Sequence, residues 1–184
     1  MSTADLFGPL KQALNAKFGN GDWILGSAGT SPYLNLNLIR DKGLDEAEVR
    51  RVAAEAAAAV PHVLRVYTRD QLQSGALPND MISNRVAHSF NRKSSGDLEI
   101  VLEPYWIRSA EGTTHGTPYS YDAHIPLIFM GPWFRIGTYR QNVVLNDVAP
   151  TLATILGVET PSGSIGRALN EIIDSTTLSF AATK

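Results

Sequence analysis

The stretch that most limits this chain runs from Gly112 to Pro132, GTTHGTPYSYDAHIPLIFMGP. Its first part cannot hold a helix or a regular ladder, because Gly112, Gly116 and Pro118 are interleaved with Thr113, Thr114 and Thr117; it reads as a tight loop. Its second part, Ile125 to Met130, is a nearly continuous apolar run closed by Gly131-Pro132, the pattern of a strand buried on both faces. A polar loop carrying His115 therefore feeds a core strand, and in open α/β sheets ligands gather at strand ends.

The flanks read as alternating helices and strands, an α/β or α+β pattern. Leu6 to Phe18 predicts an amphipathic helix, closed by Gly19-Asn20-Gly21. Trp23 to Leu25 is a short strand candidate, and Tyr33 to Ile39 alternates as a half-buried strand, with Leu34, Leu36 and Leu38 on one face. From Asp45 to Val60 a stripe of Val49, Val52, Ala53, Ala56, Ala57 and Val60 predicts a helix stopped by Pro61. Val63 to Tyr67 is the next strand, and Thr68 caps a helix over Arg69 to Gln73. Met81 to Phe90 predicts a helix with His88 off its apolar stripe, and Leu98 to Leu102 a strand. Further on, Asn142 to Leu145 reads as a strand, Asp147 to Leu156 as a helix with Asp147 at its N-cap, and Ile165 to Ile173 as a last helix. Residues 1–174 form one domain on this reading, and 175–184 a frayed tail.

Composition narrows the chemistry. A net charge of -2 over 184 residues gives no electrostatic case for nucleic acid or an anionic membrane. No apolar run approaches the roughly 18 residues of a membrane span, and no signal peptide is visible. With no cysteine and four histidines, a metal has only imidazole and carboxylate ligands to draw on. The sequence contains no HExxH, GxSxG or GxxxxGK[ST]. His115, Asp122 and His124 are the one close set of metal-capable residues, and their spacing matches no self-sufficient site.

Two segments carry a resemblance. Residues 112–129, GTTHGTPYSYDAHIPLIF, followed by Asn146-Asp-Val-Ala-Pro-Thr-Leu152, resemble the C-terminal part of the alkaline phosphatase superfamily. The branch is that of monomeric bacterial alkaline phosphatases with a threonine nucleophile, related to type I phosphodiesterases and nucleotide pyrophosphatases. Ser95-Gly96-Asp97-Leu98, Tyr33-Leu34-Asn35 and Pro161 with Gly163 and Gly166 fit the same pattern, which extends over roughly residues 10 to 173.

The resemblance implies an alkaline-phosphatase-like α/β/α sandwich, of which this is the C-terminal segment, with an α+β subregion in its first half. It implies that His115, in Thr-His-Gly, ligates one of two zinc ions. His124 falls on a non-ligand position, implying a structural hydrogen bond, and Asp122 and Asp147 are structural. The family's nucleophile, its phosphate-gripping Asn, Lys and Arg, and its other zinc ligands, including an Asp-His pair, lie upstream of the matched region. No Asp-His pair occurs here, and Ser94 stands where relatives often carry Arg.

The expected function is therefore the C-terminal segment of a zinc-dependent phosphoester hydrolase, inactive as the isolated chain and without catalytic residues of its own. Its substrate in the complete protein is a phosphate ester, and an exposed sheet edge invites self-association. The alternative is a free-standing, non-catalytic binding or self-associating protein derived from that fold. The relatives implied are periplasmic or secreted.

Overall fold

In the computed structural model, which describes residues 2–109, 111–174 and 176, the chain divides into two units, Met1–His124 and Ile125–Lys184. The fold is mixed α/β, with helices against small antiparallel sheets. The 175–184 tail lies outside the described residues apart from Thr176. Among the described residues no helix is long and apolar enough to cross a membrane.

The first unit begins with helix α1 (Thr3–Phe18), three residues earlier than the apolar stripe indicates. The cause is a capping box: the Asp5 N–H donates to Ser2 Oγ at 3.1 Å, and the Ser2 N–H donates to the Asp5 carboxylate at 2.7 Å. Leu6, Leu10 and Leu14 of α1 are fully buried. They pack with helix α3 (Glu46–Ala58), whose Val49, Val52, Ala53 and Ala57 form the opposing stripe and whose N-terminus Asp45 caps.

Strands β1 (Ile24–Ala28) and β2 (Ser31–Leu34) form an antiparallel hairpin. The strand expected to run on to Ile39 stops at Leu34, and residues Leu36–Asp41 form helix α2 instead. Asn35 decides the outcome, because its side-chain oxygen accepts the Leu38 N–H at 3.1 Å and its amide reaches Asp22 O. A cap of that kind offers the backbone a helical route that period-two leucines do not reveal.

The second sheet pairs β3 (Val63–Thr68) with β4 (Leu98–Leu102), antiparallel, with Val66 opposite Ile100. Leu98, Ile100 and Leu102 face the main core, as their alternation predicts, while Val101 joins Tyr67, Leu72, Val86 and Tyr119 in a smaller one. Between β3 and β4 lie α4 (Arg69–Ser74), capped by Thr68 as expected, and α5 (Met81–Ser89), capped by Asp80.

Ser95-Gly96-Asp97 ties these parts together. The Asp97 carboxylate accepts the Leu34 N–H at 2.8 Å and an Arg50 N–H at 3.2 Å, and Arg69 Nε lies 3.7 Å away. Arg50, itself buried on α3, also grips Asp70 at 2.8 Å and Glu46 at 3.2 Å. Gly96 is required by proximity: a Cβ there would fall 2.4 Å from Ser31 Oγ and 2.6 Å from Pro32 O.

In the second unit, Ile125–Met130 does not form the buried strand its composition predicts. Ile125, Ile128 and Met130 are 53%, 83% and 95% exposed, and no backbone hydrogen bond joins this run to any described residue. A strand exists only where a neighbour supplies the ladder. Asn142–Leu145 likewise forms no strand; it leads into a 3-10 turn, Leu145–Asp147, and then helix α7 (Val148–Leu156).

Asp147 is not the side-chain cap of α7. Its carboxylate accepts the Val144 N–H at 3.0 Å and the Arg167 N–H at 2.9 Å. Those bonds also explain why Ile165–Ile173 is not helical. The Arg167 and Leu169 N–H groups are committed to Asp147 and to Thr151 Oγ1, so they cannot serve an i to i−4 ladder. The segment ends in a bridge between Phe134 and Ile173.

Candidate functional site

The loop bearing His115 is anchored behind it rather than at the histidine. The Thr117 N–H donates to the Asp122 carboxylate at 2.6 Å, and an Arg85 N–H from α5 donates to Pro118 O at 2.6 Å. The Tyr119 hydroxyl donates to Leu102 O at the end of β4, at 2.5 Å. A one-turn helix α6 (Ser120–Ala123) follows, its Ala123 and His124 N–H groups returning to Tyr119 O and Ser120 O. Three different elements thus fix residues 117–119, and Thr113 to Gly116 project from that base with side chains exposed.

His115 borders an open cavity of about 700 Å³ within the first unit. Arg85, Glu99, Val101, Trp106 and Arg108 are among the other lining residues. The cavity holds charges of both signs: Arg85 donates to Pro118 O, and Arg108 to Gly29 O and Thr3 Oγ1 while its buried Nε finds no partner among the described residues. Glu99, on β4, is pushed above its ordinary value by burial. Asp122 is held below the usual carboxylate range by the Thr117 N–H first, with a smaller contribution from the nearby His115.

The histidines sort clearly. His115 is exposed at the cavity. His124 is exposed, and the bond it makes is through its backbone N–H rather than the ring expected to bond. His88 lies exposed on α5. His62 is structural: its Nδ1 is 2.9 Å from Glu103 Oε2, and its ring stacks on Trp106 with centroids 3.5 Å apart.

Among the described residues no three His, Asp or Glu side chains are grouped to hold a metal ion. The described residues therefore do not fit a self-contained metal site. Sequence reasoning missed Arg85 and Tyr119, which position the loop. The only sign of Arg85 was a cation set beside the apolar stripe of Ile82 and Val86.

No protein-family model matches the chain. The chain is 33% identical over 168 residues to a calcium-transporting ATPase of Myroides odoratus, a match covering 90% of this chain and 30% of that protein. It is 32% identical over 179 residues to alkaline phosphatase PafA of Elizabethkingia meningoseptica, covering 94% and 33% respectively. The crystal structure of a PafA mutant superposes with a TM-score of 0.82 at 32% identity, over 90% of this chain and 32% of that one. The chain thus spans about a third of the length of the relatives it matches.

Proposed function

The chain is related to the alkaline phosphatase superfamily over a segment about one third as long as those proteins, and from that premise we propose that it serves as the C-terminal segment of a zinc-dependent phosphoester hydrolase. On this reading residues 1–174 belong to one phosphatase domain, and His115 supplies one ligand to a two-zinc centre whose other ligands and nucleophile lie outside this chain. The observation that carries the proposal is the His115 loop, braced by Asp122, Arg85 and Tyr119 so that a single imidazole stands at a cavity. Holding a ligand on a base fixed by packing and hydrogen bonds is what a metal centre requires. The substrate is a phosphate ester, a monoester or a diester.

Two-metal phosphoryl transfer needs both ions and the nucleophile together, so one imidazole leaves essentially no catalysis. The isolated chain should hydrolyse an aryl phosphate no faster than buffer with zinc. Calorimetric titration should show only weak, non-stoichiometric zinc binding, diminished by His115→Ala. Robust turnover abolished by that substitution, or a tight stoichiometric site on the chain alone, would overturn the reading.

A second reading, a free-standing and non-catalytic binding protein, is favoured by one observation: the first unit closes its own core and caps its own helices. Light scattering on the purified chain separates the two, since this reading needs a well-behaved species with no further polypeptide.

A further inference from the structure

Ile125–Met130 has the composition of an interior strand and none of its bonds. Both faces are apolar, the side chains of Ile128 and Met130 are almost fully exposed, and the backbone groups find no partner among the described residues. Pro126 lacks an N–H, but the other residues keep theirs, leaving an open row of donors and acceptors. Close by in sequence, Val143 and Leu145 are also exposed, at 36% and 63%.

We propose that Ile125–Met130 is a docking strand, which pairs by strand addition with β-strands from the part of the phosphatase fold that this chain does not span. The inference deepens the reading above and rests on it. Two observations choose the occupant. The superposition on PafA includes 90% of this chain but 32% of that one, so about two thirds of the larger fold lies outside the match and is available to cover the run. A run apolar on both faces also needs a neighbour on each edge and cover on each side. A second copy of this chain, paired about a twofold axis, would satisfy one edge and leave the other wet.

Main-chain hydrogen bonds would supply affinity, and pockets for alternate side chains specificity. The test is co-expression of the 184-residue chain, tagged, with PafA of Elizabethkingia meningoseptica shortened by the third that this chain matches. The two polypeptides should co-elute, and amide exchange at residues 127–130 should slow on the order of 100-fold or more against the chain alone. Ile128→Pro removes an N–H that is unbonded here, at a side chain 83% exposed, so it should abolish co-elution while leaving the chain's own melting unchanged.

His115→Ala should co-elute as the parent does and lose only metal uptake, which separates failure of docking from failure of the metal reading. Absence of co-elution, protection of residues 127–130 in the chain alone, or a homodimer that protects them would each overturn the proposal.

Discussion

Asp97 shows how much one carboxylate can organise. It accepts a backbone N–H from β2 and a guanidinium N–H from α3, and Arg69 of α4 approaches it, so one substitution touches three elements. Asp97→Asn takes one carboxylate from buried Arg50, which keeps Asp70 at 2.8 Å and Glu46 at 3.2 Å, so the cost should stay below the about 3–5 kcal/mol of a buried charge left without a partner. Urea denaturation should show the midpoint falling accordingly. The sequence gives no hint of this, since Asp97's partners lie 63 and 47 residues away and the motif displays only Ser-Gly-Asp. Glu99, two positions on, acts in the opposite sense. Burial raises its carboxyl above 4.5, so the folded state holds the proton more tightly than the unfolded one. Stability from this group is full at low pH and is lost as pH rises through the folded value. Glu99→Gln should therefore melt with the parent near about pH 4 and above it near about pH 8. Asp80, lowered to about 2 by the Ser83 N–H and then by Arg65, contributes the reverse: its stabilisation is lost as pH falls from roughly 4 through that value.

At the scale of elements, the helices were legible where caps and apolar stripes agree, as in α3 and α5, and illegible where a side chain outvoted the pattern, as Asn35 does in α2. The segment 165–173 has helical periodicity but spends its N–H groups on Asp147 and Thr151. Gly166 explains why the arrangement tolerates no side chain: a Cβ would sit 2.0 Å from Asn146 O and 2.7 Å from Asp147 N, both backbone. Gly166→Ala should break the Asp147–Arg167 lock. Hydrogen exchange is expected to rise at the Arg167 and Leu169 amides while the β3–β4 ladder keeps its protection; equal loss in both places would mean that the clash is not local. The candidate site divides in the same way. His115 and its loop were visible as composition, whereas Arg85, Tyr119 and Glu99 reach the cavity only through tertiary packing.

For the molecule as a whole, the histidine loop and the unpaired run are consecutive in sequence, Asp122 to His124 joining one to the other. The run has the composition of a buried strand but is exposed, in a chain that superposes on about a third of a longer protein. An exposed row of that kind is also a hazard, because identical segments readily stack into fibrils. Pro126 bears on this directly. Layer upon layer of in-register copies would repeat its missing donor along the entire filament, while a single foreign neighbour meets the gap once. The imino acid therefore works as a gatekeeper, discouraging amyloid growth without closing the edge to a heterologous strand.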